Sequence, residues 1–173
     1  MNVRSSFALG LASFVLVLAS GGCGGKAATA PGAVPAAPAT TGGADTPADR
    51  CLAIAGAKRE KRPDEPAKIT ARHILVKYAG AKKANPSVTR TREEACLRAL
   101  EAREKLEQGA SFAEIVASYS EEPGAATREG TLGAIQRADV VGPFADAAFE
   151  LGRGEVSHVV ETDFGFHIIM RTE

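Results

Sequence analysis

From Gly24 to Arg50 the chain is nearly all Gly, Ala, Pro and Thr, in the run GGKAATAPGAVPAAPATTGGADTPADR, with no aromatic residue and no apolar periodicity. A stretch of that composition cannot bury enough apolar surface to offset the entropy of ordering its backbone. It reads as a disordered tether. The next stretch, CLAIAGAKREKRPDEPA (51–67), is less clear: CLAIAGA has the makings of a short helical turn, while KREKRPDEP is charged and ends in proline. As a coil, the roughly 44 residues from Gly24 to Ala67 would span about 35–40 Å on average. Of 173 residues, therefore, only about 106, from Lys68 onward, are left to build a core, which suffices for one modest domain.

Ahead of the tether, Asn2–Val3–Arg4 gives a short basic start, FALGLASFVLVLA (7–19) an apolar run too short for a stable span, and Ser20–Gly21–Gly22 small residues before Cys23. That is the layout of a secretory signal over 1–22. Small residues followed by cysteine resemble a bacterial lipoprotein signal, with the departure that Ser20 stands where leucine is usual. The resemblance implies lipidation of Cys23 and a lipidated tether over 23–67. Gly24 after the cysteine favours a cell-envelope location, anchored in the outer membrane and facing the periplasm. The alternative is an ordinary signal cut near Gly22, leaving Cys23 a thiol. Export permits a disulfide between Cys51 and Cys96, and the sequence leaves that pairing open against two free thiols. The formal charge is zero, so nothing marks a nucleic-acid partner, and no Cys/His spacing suggests zinc.

ITARHILVKY (69–78) alternates as a strand, with Ala71, His73, Leu75 and Lys77 on one face and Arg72, Ile74, Val76 and Tyr78 on the other. TREEACLRALEAREKLEQG reads as a helix opened by a Thr91/Glu94 capping box and stopped at Gly109, with Ala95, Ala99, Ala102 and Leu106 on one stripe. Ser111 with Glu114 opens a second helix, SFAEIVASYS. Residues 121–131 are a loop or a short helix, and LGAI (132–135) is a short strand. GPFADAAFEL (142–151) is a helix with Pro143 in its first turn. EVSHVVET (155–162) and FGFHIIMRT (164–172) are the last two strands. This order argues for an α+β fold, with helices covering a small antiparallel sheet. Two of the three histidines, His73 and His167, lie inside its apolar strands.

The segments ARHILVKY, TREEA, GASFAEIVASYSEE, GTLGAI, GPFADAAFELGRGEVSHVVET and FGFHIIMRTE, in that order, resemble the parvulin-type (PpiC-type) peptidyl-prolyl cis–trans isomerases. The likeness spans the isomerase domain expected over 68–173. It looks closest to the phosphoserine/threonine–proline-directed branch, through TRT before the first helix, the HIIMRTE ending and a basic pair in the first loop. The resemblance implies a four-stranded antiparallel sheet wrapped by about four helices, a parvulin/FKBP-like α+β fold. Its first and last strands are central neighbours, so that His73 and His167 face one another. It also implies rotation about X–Pro bonds without cofactor or metal. The expected partners are unfolded or proline-containing polypeptides of the exported or envelope class, met by a membrane-anchored monomer.

Rotation about a peptide bond costs about 18–20 kcal/mol because amide resonance is lost, and no bond is broken, so no nucleophile is needed. By resemblance, His73 and His167 hold the site through a ring-to-ring hydrogen bond. Leu132, Val140 and Phe144, with Leu75 beside the first histidine, form an apolar cup for the proline ring. Val140, where relatives often carry methionine, makes the cup shallower. The alternative for these residues is plain core packing. In SYSEEP, Glu122 falls nearest the family's cysteine or aspartate, with Glu121 one residue off; the alternative is a solvated acidic loop. Lys82 and Lys83 fall at the basic pair, implying preference for an acidic or phosphorylated residue before proline, against the alternative of a solvated turn. Ser157 and Phe164 lie near the site in family register, and His158 matches no site residue. A second functional class, a non-catalytic chaperone or proline-peptide binding module, would show an incomplete pocket or no turnover.

Overall fold

The computed structural model describes residues 45–173; the signal, Cys23 and the tether up to residue 44 lie outside the described residues. The sheet is organised by its two central strands, β1 (Ile69–Val76) and β4 (Gly165–Arg171), paired antiparallel from Ala71 opposite Arg171 to Val76 opposite Phe166. β2 (Thr131–Ile135) joins the outer edge of β1, and β3 (Val160–Thr162) that of β4, giving the order β2-β1-β4-β3. Side chains alternate across a strand, so opposed residues fall on one side together. Ile74, Val76, Phe166 and Ile168 form one face. Ala71, His73, Leu75, His167 and Ile169 form the other.

Helices α2 (Arg92–Glu107) and α3 (Phe112–Tyr119) cover the first face. Ala95, Cys96, Ala99 and Ala102 are wholly buried there, and their small side chains let the helix lie close to the strands. Both helices open with the expected capping boxes, Thr91 with Glu94 and Ser111 with Glu114, which satisfy orphan N–H groups of the first turn. Helix α4 (Gly142–Glu150), with Pro143 in its first turn, covers the second face. Its Phe144, Ala148 and Phe149 pack on Ile69, Ala71, Ile135 and Ile169.

Three details depart from the sequence reading. First, helix α1 (Pro47–Ala55) begins inside the run read as disordered and continues into CLAIAGA, which reads as a short helical turn; it is opened by a Thr46/Asp49 capping box. A Cys51–Cys96 disulfide fixes α1 to α2, and Cys96 is fully buried. Beyond α1 the chain is latched across α4: Arg59 pairs with the Glu150 carboxylate, Arg62 donates to the Glu150 carbonyl (2.6 Å), and Arg137 pairs with the buried carboxylate of Glu65 (2.8 Å). Composition could not show this, because two ion pairs, one hydrogen bond and one covalent bond hold the segment, with only Cys51 and Ala55 buried in the core. Second, the strand read over 155–162 pairs continuously only at its end. Val156 makes a single bridge to Met170. At Ser157 the hydroxyl takes the Ile169 N–H (3.0 Å) that a strand carbonyl would take. Third, β1 stops at Val76 rather than Tyr78, because the Lys77 N–H is taken by the Glu121 carboxylate (2.7 Å) and the Lys77 carbonyl by Arg90 (2.9 Å).

Candidate active site

His73 and His167 are diagonal neighbours on the α4 face, since His73 opposes Ile169 and Leu75 opposes His167. Their Nδ1 atoms are 3.3 Å apart and their ring planes 14° apart. Each ring is about one-twentieth exposed, at 5%. Phe144, in the first turn of α4, stands edge-on to both, with ring centroids 5.7 Å from His73 and 5.3 Å from His167. Gly130 lets His73 sit this way. Its carbonyl accepts from the His73 N–H (2.8 Å), at φ +75°, where a Cβ would stand 2.4 Å from the His73 carbonyl oxygen.

A turn delivers the carboxylate. Beyond Arg72 β2 no longer pairs with β1, and the chain at Ser120–Glu121 takes its place. The Leu75 N–H donates to Ser120 Oγ (3.2 Å), and the Glu121 N–H donates to the Leu75 carbonyl (2.7 Å). This docking separates the two glutamates that sequence register left ambiguous. Glu121 binds Arg90 (2.7 Å) and ends β1. Glu122 binds His73 Nε2, and Arg128 Nη2 holds the same carboxylate at 2.7 Å. At the other end, His167 Nε2 meets Thr162 Oγ1 at 2.8 Å, and that oxygen accepts the Phe164 N–H at 3.1 Å.

Proton positions follow from the ends of this chain. The hydrogen bond from His73, helped by the charge of Arg128, holds the Glu122 carboxyl below the usual range against the opposing effect of burial. An ionised carboxylate only accepts, so His73 Nε2 carries a proton. His167 is neutral, because burial first and then the neighbouring His73 push its pKa down from 6.5 to about 3. Thr162 Oγ1 accepts from Phe164, and its hydroxyl donates to His167 Nε2 at 2.8 Å in preference to the Gly165 carbonyl at 3.5 Å. His167 Nδ1–H then donates to a bare His73 Nδ1, and His73 Nε2–H to Glu122. Every member is satisfied with one net charge, neutralised by Arg128. Partial satisfaction would be costly at this burial.

Leu132 and Val140 pack, half-buried, on the cluster that contains Phe144. Leu132 is brought there by a bulge: Gly133 opposes Ala71 and Thr131 opposes Arg72, so Leu132 is the extra residue, and Gly133 supplies the φ of +72°. Leu75 is buried beside His167, its backbone holding the Ser120–Glu121 turn. Lys82 and Lys83 do not touch the imidazoles. Their Nζ atoms lie 5.1 and 5.9 Å from the ring centre of Phe164, in the β3–β4 turn next to Thr162. The Lys82 N–H donates to the Asp163 carbonyl (2.7 Å), and the buried Lys77 donates to the Lys83 carbonyl (2.8 Å). Ser157 serves the backbone of Ile169, and His158 is exposed. Thr162 and Arg128 escaped the sequence reading. Thr162 ends a strand as any β-branched residue does, and Arg128 lies in a loop without periodicity.

The arrangement offers no free thiol among the described residues, since the two described cysteines are joined to each other. It offers an apolar floor, a fixed polar chain under one side, and cations at the far turn.

The sequence model described as "PPIC-type PPIASE domain" matches residues 56–173. The putative peptidyl-prolyl cis-trans isomerase dodo of Drosophila melanogaster is 38% identical over 113 residues, covering 62% of this chain and 68% of that protein. Foldase protein PrsA of Geobacillus kaustophilus is 37% identical over 106 residues, 61% of this chain but only 32% of that protein, so the chain spans about a third of this relative. Among solved structures, peptidyl-prolyl isomerase ESS1 from Candida albicans superposes with a TM-score of 0.58 at 29% identity, over 66% of each chain. The match over 56–173, taken with this fold, means that the chain belongs to the family of PPIC-type, parvulin-type peptidyl-prolyl cis–trans isomerases.

Proposed function

We propose that this chain isomerises X–Pro bonds in polypeptides, using the face where Phe144 meets both imidazoles. That convergence, 5.7 and 5.3 Å from one phenyl ring, carries the reading. The pyrrolidine ring sits in the cup of Leu132, Val140 and Phe144. Catalysis requires tighter binding of the twisted amide than of the planar one. The planar amide has the larger resonance dipole, so a dry apolar cup disfavours it more than the twisted form. His73, His167 and Glu122 form the wall against which the amide turns, and their satisfied hydrogen bonds keep that wall rigid and dry.

Lys82 and Lys83 favour an acidic or phosphorylated residue before proline. They act as point charges rather than as the planar fork an arginine pair would give. The substrates are exported or envelope proteins, and the chain works as a monomer lipid-anchored through Cys23, with residues 1–22 as signal and the tether giving it reach. The composition of the N-terminal 50 residues supports this, as does the likeness to a relative named as a foldase.

The test is proline-limited exchange in short peptides with Glu, Ala or phosphoserine before proline. Acceleration of all three is expected, with Glu and phosphoserine ahead of Ala. Replacing both lysines by glutamate should reverse that order. No acceleration of any peptide would leave a non-catalytic binding module as the reading.

A further inference from the structure

A second concavity runs along the outer edge of the sheet. It has a volume of about 460 Å³ and lies between the chain at Ala55–Arg59, the start of α4 and residues 160–163. Successive residues of a strand point to opposite sides. A cavity bounded by four consecutive residues therefore follows the edge of β3, not either face. β3 is the outermost strand of the sheet, so this edge presents backbone N–H and C=O groups of the kind another extended chain can pair with.

The cleft is continuous with the site described above. Thr162 lines it and also meets His167 Nε2. Val141 and Pro143 line it and flank the start of α4, between Val140 and Phe144 of the cup. Val141 is apolar yet 40% exposed. The outer wall, Ala55 to Arg59, is held by the Cys51–Cys96 disulfide on one side and by the Arg59–Glu150 pair on the other. Helix α1, which anchors this wall, precedes the family-matched residues 56–173. Of the lining carboxylates Glu161 is paired with Arg92 and Asp146 with Arg137, while Asp163 and the cation Lys58 make no ion pair among the described residues, so the lining carries one free charge of each sign.

We propose that this cleft binds the substrate polypeptide flanking the proline, as an extended segment laid along the outer edge of β3. The inference rests on the isomerase reading and adds a subsite to it. Main-chain pairing makes the subsite tolerant of sequence. β3 is three residues long, so the benefit saturates once about three or four flanking residues, roughly 10–13 Å of extended chain, are present. A protein segment then binds better than a minimal peptide, while the chemistry at the proline is unchanged.

The experiment compares a four-residue proline peptide with versions extended by four residues on either side. With the native protein, at least one extension should lower KM roughly tenfold with kcat unchanged, as expected for two or three net main-chain hydrogen bonds. Ala57→Trp fills the cleft from its exposed outer wall, away from the histidines and the cup. It should abolish that gain while leaving the four-residue peptide at native rates, which also reports that the variant is folded. N-methylation of alternate flanking amides should remove the gain where side-chain exchange does not. Equal KM for short and extended peptides, or a gain that survives Ala57→Trp, overturns the proposal. So does concentration-dependent dimerisation abolished by Ala57→Trp, because a second copy would then occupy the edge. If no peptide turns over, the isomerase reading fails by itself. The cleft is then judged by anisotropy of a labelled extended peptide, whose binding should still fall on Ala57→Trp.

Discussion

The two faces of the sheet are equally dry and differently built. Ile74, Val76, Phe166 and Ile168 are 0% exposed under α2 and α3; His73, Leu75 and His167, on the same two strands, are 5% exposed beside α4. One face is closed by alanines that admit a helix at short range. On the other, the first turn of α4 brings Phe144 over the imidazoles, and the remaining turns run on toward Ile69 and Ala71. Burial therefore does not mark the candidate site. What marks it is that polar groups are buried there and each is given a partner, at a cost in stability that the opposite face does not carry.

The sharpest way to separate the faces is acid. His167 titrates near 3 in the folded chain and near 6.5 when unfolded. Between those values the unfolded chain binds more protons, so stability falls as pH falls below about 6.5 and is fully retained above it. The shift corresponds to at most about 4–5 kcal/mol by pH 3. Glu122 adds to the loss at the acid end, its carboxyl lying below the usual range, so that its contribution is present above pH 4–5 and disappears on further acidification. Denaturant titrations from pH 7 to pH 3 should show this slope. His167→Phe should remove most of it, and a slope unchanged in that variant would mean that the α4 face does not hold a neutral imidazole.

The opposite face breaks by cavity rather than by charge. Phe166→Ala should cost about 3–5 kcal/mol at any pH, with a lower denaturation midpoint and no added acid slope. Opening the Cys51–Cys96 bond, by Cys51→Ser with Cys96→Ala, should cost about 2–4 kcal/mol, read as a midpoint difference that a reductant reproduces on the native chain. Both changes act on the α2 side. Short-peptide isomerisation should therefore survive wherever the variant is still folded, and a loss of turnover in folded protein would join the two faces more closely than the structure does.

How much of this was legible in the chain follows the same division. Period-two alternation in ITARHILVKY and FGFHIIMRT places both histidines on one side of their strands, and the strands pair as the family resemblance implies. Ala95, Ala99 and Ala102 fall on one helical stripe and are buried together. These are local regularities, repeated over many residues. The missed features are single long-range bonds. Glu121 ends β1 from 44 residues away, Ser157 interrupts a strand through one hydroxyl, and Cys51, whose pairing the sequence leaves open, ties to Cys96 a helix that starts inside the Gly/Ala/Pro/Thr run. No window of sequence carries them. Glu122 stood out only through register against relatives, and its neighbour Arg128 not at all.

Arg128 gives the smallest and most diagnostic effect. It is partly exposed, and its pair with Glu122 at 2.7 Å is of a kind worth about 0–1 kcal/mol, so Arg128→Gln should scarcely move the denaturation midpoint. Its consequence lies in ionisation. The arginine charge is one of the causes holding the Glu122 carboxyl low. Without it that carboxyl titrates at higher pH, and the acceptor that fixes the His73 Nε2 proton is lost earlier on acidification. The acid limb of kcat/KM should shift to higher pH in Arg128→Gln, with the plateau near neutral pH close to native. Arg128→Lys, which keeps the charge, should restore the limb. If the limb stays fixed in both variants while folding is unaffected, the ionisation of Glu122 does not set the acid limb, and turnover does not depend on the acceptor it offers to His73.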